Sequence, residues 1–275
     1  MASPVGQPTR GTTGTNRLRR NDRWIAASSA LRQAAAPLVV DLGYGASGVT
    51  AFELADRLRR VRPDAEVLGL ELDPERVAAA RAQLDEVRAG RTPFPSDLRV
   101  SFERGGFEVP LREGRRPAVI RAMNVLRQYA EADVADAWNR MTSRLAPGGI
   151  LFEGTCDEIG RICSWVDVAT GGVPLRFTIS LRLTGLERPG IVAERLPKAL
   201  IHRNVPGEPV HELLIALDRE WDRAAALSAF GPGQRFVAAV GALRDQGVPI
   251  VGRASRWRLG ELTVPWQTVA PLPDV

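Results

Sequence analysis

Three glycines, Gly43, Gly45 and Gly48, follow a short apolar run and an aspartate in the stretch Leu38 to Glu53, LVVDLGYGASGVTAFE. Residues without a Cβ let the backbone pass close to a ligand. The helical pattern that begins after them offers unpaired N–H groups at its first turn. Strand, glycine turn and helix in this order form a ligand cradle. A dinucleotide uses such a cradle by setting its pyrophosphate on the helix N-terminus, with G-x-G-x-x-G and an acid about 20 residues later. The glycine spacing fits, and Glu71 follows. Asp41, two residues before the first glycine, argues for a different ligand. A carboxylate aimed into the turn repels a pyrophosphate and helps to hold a cation.

S-adenosyl-L-methionine carries that charge, as an ammonium and a sulfonium. VVDLGYGASG, followed by VLGLELDPERV and RLAPGGILFEGT, resembles the first, second and fifth strands, with adjoining turns, of the class I S-adenosylmethionine-dependent methyltransferases. The resemblance covers roughly Pro37 to Thr155, about half the chain. It implies cofactor contacts at Asp41, Gly43, Tyr44, Gly45, Glu71, Leu72, Gly106, Phe107 and Asn124, and no metal. Glu71 ends the second strand, where a carboxylate can accept two hydrogen bonds from ribose hydroxyls. Many family members carry an acid beside the adenine in the turn after the third strand. Here those positions are Gly105 and Gly106, so Glu103 or a backbone carbonyl stands in, with Phe107 against the adenine or in the core. The fourth strand ends at Asn124, which together with Arg127 faces cofactor or substrate, or serves packing. No [DN]PP[YF] turn follows, which argues against an adenine or glutamine amide acceptor.

The function this implies is methyl transfer to an oxygen or nitrogen of a small-molecule acceptor. His202 is the candidate base by residue type, since its unperturbed pKa lies near neutrality. His211 is a weaker candidate, and Glu153, Asp157 and Glu158 are placed to orient an acceptor or to cap a helix. Two other readings stand beside it: an RNA-binding or RNA-modifying protein docking through an arginine arm, and a cofactor-binding scaffold without turnover.

The net charge of +5 lies wholly in the first 32 residues, where Arg10, Arg17, Arg19, Arg20, Arg23 and Arg32 face Asp22 alone. The body is therefore neutral by formal count, which argues against a broad nucleic-acid surface. Only Lys198 of the 37 basic residues is lysine, so the high arginine content reflects compositional bias. No apolar run reaches the roughly 18 residues of a membrane span, and the first residues, with no apolar segment after their charges, are not expected to act as a secretory signal. Two cysteines and two histidines are too few for a zinc site. A cytoplasmic protein with reduced thiols is expected.

Strand and helix patterns alternate from Pro37 to Thr155, with Asp73 and Pro74 opening one helix and Pro147-Gly148-Gly149 closing another. The expected fold is α/β and Rossmann-like: a mostly parallel sheet with helices on both faces. VPLRFTISLRL and GELTVPWQTVA are expected as antiparallel C-terminal strands around a helical insertion. Residues 1–20 read as a mobile basic arm, and TNRLRRNDRW, which runs from its end to Trp24, could fold back to close the cofactor or substrate pocket. Asn21 or Asp22 is expected to cap the helix that follows. Residues 21–156 form the expected cofactor-binding half, and 157–275 a substrate or cap half.

Overall fold

The computed structural model describes residues 4–7, 14–112 and 114–273. The apolar run ending in Asp41 becomes β1 (Leu38–Leu42), buried on both faces as a central parallel strand must be. Around it lie β2 (Glu66–Glu71), β3 (Val100–Arg104), β4 (Val119–Met123) and β5 (Ile150–Cys156). These five are parallel in the order β3-β2-β1-β4-β5. The order reverses between β1 and β4, the place where open α/β sheets bind ligands at the carboxyl ends of their strands.

The sheet continues antiparallel through β6 (Ile162–Ala169), β7 (Val173–Leu181) and β8 (Glu261–Pro265), eight strands among the described residues. The expected pairing of the last two strands across a helical insertion is what β7 and β8 do. The Rossmann-like expectation holds, with one element missed. ICSWVDVA forms β6, whose long turn-free apolar run is buried on both faces and so shows little alternation.

One face carries α1 (Arg19–Ala27), α2 (Ser29–Arg32), α3 (Val49–Leu58) and α4 (Pro74–Arg88), whose Ile25, Leu31, Leu54 and Leu84 share an apolar cluster with Val39 and Phe152. The other carries α5 (Val134–Thr142) and the insertion helices α6 (Lys198–Ile201), α7 (Pro209–Arg223), α8 (Pro232–Asp245) and α9 (Ala254–Trp257). Their Trp138, Leu217 and Phe236 pack with Val40 and Ile179. Asp73 caps α4 through Glu75 N and Arg76 N, with Pro74 at its first position, as expected.

Three expectations are corrected. Asn21 and Asp22 do not cap a helix; both lie inside α1 and are fully buried. The real break comes at Ser28, whose hydroxyl accepts from Leu31 N to start α2. Cys156 and Cys163, opposite one another on β5 and β6, are joined as a disulfide rather than free. Residues 14–20 are not a loose arm. Asn16 N donates to Glu53, Leu18 is buried, and α1 has begun by Arg19.

Glu153 in β5 is 1% exposed and neither carboxylate oxygen has a well-formed hydrogen bond. Burial pushes its pKa up to about 8, which the nearby Trp138 indole offsets only in part. In the unfolded chain a glutamate ionises near 4.3. The folded value is the higher one, so the stability tied to this group is present at low pH and is lost as pH rises from about 4 to about 8. Glu153→Gln removes the titration. Its melting temperature relative to the unsubstituted protein should climb between pH 5 and pH 8 and level off above. A pH-independent difference in calorimetric scans would show that the carboxylate is already ionised in the fold.

Candidate functional site

The site is built on the turn between β1 and α3. Gly43 (φ 68°) and Gly45 (φ 86°) adopt left-handed backbone that suits glycine. Gly43 N donates to Leu70 O at 2.7 Å, tying the turn to β2. Gly48 is needed for space, because a Cβ there would lie 2.6 Å from the Phe102 ring. Tyr44 turns inward, 4% exposed, edge-on to Phe102 at 5.1 Å, so it packs beneath the turn. Burial and the nearby Glu71 and Asp41 raise its hydroxyl pKa.

Glu71 closes the turn from the end of β2. One oxygen accepts from Gly45 N at 3.0 Å and the other from Leu72 N at 2.9 Å. Arg76 stands 3.8 Å away. A carboxylate offers about four acceptor positions, so one N–H on each oxygen leaves both able to accept again. The acid and the glycine turn expected to share one ligand are therefore in direct contact.

Sequence reasoning missed Gln83 of α4. Its Oε1 accepts from Gly48 N at 2.9 Å and from Ser47 Oγ at 3.1 Å, while Ser47 Oγ accepts from Val49 N at 3.3 Å. The donors of Gly48 and Val49 at the start of α3 are thus satisfied by neutral groups, the Gln83 amide and the Ser47 hydroxyl. Nothing in the spacing of an exposed-looking glutamine on another helix signals this.

Asp41 has a different role from the one expected. It is 2% exposed, and Arg121 of β4 takes both its oxygens, Nε at 2.8 Å and Nη2 at 2.6 Å. Arg121 also bonds Asp22 of α1 and, at 3.1 Å, the carbonyl of Thr50. Arg57 of α3 reaches the same Asp22. Burial alone lowers a guanidinium pKa, but Asp41 and Asp22 outweigh it and hold Arg121 above its ordinary value. Burial pushes Asp22 up to about 6 against the pull of Arg121 and Arg57. Asp41 therefore presents no free charge to a ligand and does not itself favour a cation over a pyrophosphate. Its position still matters: with Thr50 and Arg121 it pins the first turn of α3 to the sheet.

Asn124 ends β4 in left-handed backbone (φ 62°), which asparagine tolerates better than most residues. Its Oδ1 accepts from Cys156 N at 3.0 Å, and its own N–H donates to Gly154 O at 2.7 Å, so it holds the ends of β4 and β5 together. Around this edge gather Arg17, bonded to the carbonyls of Cys156 and Asp157, Arg127, bonded to Glu194 O, and Arg195, paired with Glu158. Burial, with Arg195 nearby, lowers the pKa of Arg17 and of Arg127. Asp157 caps the turn before β6 through Arg161 N and Ile162 N. His202 is not gathered here. It ends α6, exposed, with Nε2 3.1 Å from Lys198 Nζ on the same helix. His211 contacts Asn204.

Gly106 and Phe107 form a ledge after β3. Val5 lies across it, its carbonyl accepting from Phe107 N at 2.9 Å; a Cβ on Gly106 would come 2.0 Å from that oxygen. Leu72 flanks the same ledge through Gly6. Among the described residues no cluster of three or more His, Cys, Asp or Glu could hold a metal, and no helix is long and apolar enough to cross a membrane.

No family model and no curated protein matches this chain. Solved structures do. The glycopeptide N-methyltransferase MtfA is 22% identical over 49% of this chain and 52% of its own, with a TM-score of 0.37. The CcbJ methyltransferase from Streptomyces caelestis is 18% identical over 65% and 72%, TM-score 0.39. An O-methyltransferase family protein from Burkholderia thailandensis is 19% identical over 50% and 37%, TM-score 0.35. All three are methyltransferases. The chain spans about half the length of MtfA, and its Rossmann-like fold rests on its own strand order.

The buried triad yields a stability prediction. Arg121→Met leaves Asp22 and Asp41 buried without their shared cation, and breaking a buried pair costs about 3–5 kcal/mol. Urea unfolding should report a loss of that size. A loss under about 1 kcal/mol would show that water reaches the carboxylates.

Proposed function

We propose that the chain is an S-adenosylmethionine-dependent methyltransferase that acts on an oxygen or nitrogen of a small-molecule acceptor. The observation that carries this reading is the junction of Glu71 with the glycine turn at the carboxyl edge of the sheet, beside an α3 N-terminus already capped by Gln83. A dinucleotide needs that N-terminus for its pyrophosphate. With Gly48 N and Val49 N already bonded, the site favours a cofactor that carries no phosphate. Glu71 would hold the ribose hydroxyls with its remaining acceptor positions, and the backbone from Gly43 to Gly45 would pass close to the amino-acid end.

The cofactor, when bound, supplies an electrophilic methyl group; the protein supplies binding and aim. Holding two reactants in line is worth up to roughly 7–11 kcal/mol of the barrier. The rigid edge made by Asn124, Gly154 and Cys156 suits that task. The exposed His202, bonded within its own helix, does not enter the mechanism as a base. The arm does not support the RNA reading. Arg17 donates to the carbonyls of Cys156 and Asp157, Arg19 to those of Asn16 and Ile159, and Arg20 to those of Gly160 and Leu259. Arg10 lies outside the described residues.

Thermal melts with S-adenosylmethionine, S-adenosyl-L-homocysteine and NAD test the cofactor. A ligand at 100 times its Kd stabilises by about 2.7 kcal/mol, and the first two compounds should raise the melting temperature. A shift with NAD alone would reverse the reading. Glu71→Gln keeps the shape of the side chain but not its charge. Hydrogen bonds to charged groups contribute about 1.5–3 kcal/mol, and water competes for part of that. We expect S-adenosyl-L-homocysteine affinity to fall roughly tenfold to a few hundredfold, at about 1.4 kcal/mol per factor of ten. Unchanged affinity in calorimetric titration would move the cofactor elsewhere.

A further inference from the structure

The ledge at Gly106 and Phe107 offers a matched pair of hydrogen-bonding groups. Phe107 N–H donates to Val5 O at 2.9 Å, and the Glu108 carboxylate accepts from Val5 N at 2.8 Å. Glu108 is held in place by a second bond, Gly106 N to its other oxygen at 2.9 Å. One donor and one acceptor, on adjacent residues, thus grip the N–H and C=O of a single peptide residue. The same two groups complement the Watson–Crick edge of adenine, which presents an amino donor beside a ring-nitrogen acceptor.

The next residue reinforces the match. A Cβ on Gly6 would lie 3.1 Å from Leu72 and 3.9 Å from the Phe107 ring, so the Gly6 backbone fills the space between those side chains, where a flat ring would lie. Gln7 closes the set: its N–H donates to the Tyr129 hydroxyl, and its carbonyl accepts from Gln128 Nε2 at 2.8 Å. Residues 5–7 are themselves exposed, and the bonds of Val5 N and of Gln7 lie at exposed groups and open at low cost.

We propose that residues 5–7 are a built-in competitor for the adenine of the cofactor, and that Phe107 N–H and the Glu108 carboxylate form the edge both occupants use. This rests on the methyltransferase reading above. Glu108 thereby supplies the acid that Gly105 and Gly106 lack. Binding then requires the segment to leave, and apparent affinity is the intrinsic affinity multiplied by the fraction of molecules in which the ledge is open.

Gly6 provides the test. Its φ of +137° is hostile to any side chain, and a Cβ would stand 3.0 Å from the Tyr129 hydroxyl and 3.1 Å from Leu72. Gly6→Val should therefore dislodge the segment without altering Phe107, Glu108 or the glycine turn. Calorimetric titration with S-adenosyl-L-homocysteine would compare the full chain, Gly6→Val and a variant lacking residues 2–7. We expect both variants to bind about three- to thirtyfold more tightly, and a synthetic peptide of residues 2–8 to weaken binding to the shortened chain. In the shortened chain, Glu108→Gln should lose affinity, since an amide cannot serve both Gly106 N and an amino donor as a carboxylate does. Equal affinity in all three proteins, or weaker binding by Gly6→Val, overturns the competitor and leaves the methyltransferase reading intact. Failure of all three to bind S-adenosyl-L-homocysteine overturns both.

Discussion

Arg121 sits fully buried between two carboxylates, Asp41 of β1 and Asp22 of α1, and much of the molecule depends on that contact. A charge out of water is tolerated only when it is paired and hydrogen-bonded. Here the pairing spans three elements distant in sequence. The helix before the sheet cannot leave without taking Asp22 from the buried Arg121 Nη1, and α3 cannot tilt without breaking Arg121 to Thr50 O. Arg57 adds a second link from α3 to Asp22. The glycine turn between β1 and α3 is thus held from beneath by charge and from the side by Gln83 and Glu71.

Much of this was legible beforehand, for a physical reason. Parallel strands buried on both faces read as apolar runs, and the turns between them carry Gly, Pro and Asp in places where backbone geometry or capping requires them. Glu71 and the glycines could be found because both lie within the local grammar of strand, turn and helix. Asp41 was found for the wrong reason. Its residue type and position suggested a ligand contact, while its partner Arg121 lies 80 residues away and reads only as one more residue of an apolar strand. Gln83 was missed because a long-range contact, not local pattern, defines its role, and β6 because burial on both faces leaves it little alternation.

The arginine-rich start of the chain shows how charge counts mislead. Clustered cations in a small-residue segment suggest a solvated arm reaching for phosphate. Arg17 and Arg20 instead spend their donors on carbonyls at the ends of strands, where the sheet leaves acceptors unused. Burial, with Arg23 and Arg19 nearby, brings the pKa of Arg20 down to about 10, so the fold tolerates this cation for its five-pronged geometry.

The amide of Gln83 has a consequence for how the site meets changing solution conditions. A helix N-terminus capped by a carboxylate is sensitive to ionic strength and to acid, because screening and protonation both weaken the cap. An amide neither titrates nor attracts counter-ions. Gly48 N therefore keeps its partner across the range in which Asp22 and Glu153 change protonation deeper in the fold. The Gly48 end of the turn is thus insulated from the medium, whereas its Gly45 end, held by the Glu71 carboxylate, and its base, held by Arg121, answer to charge.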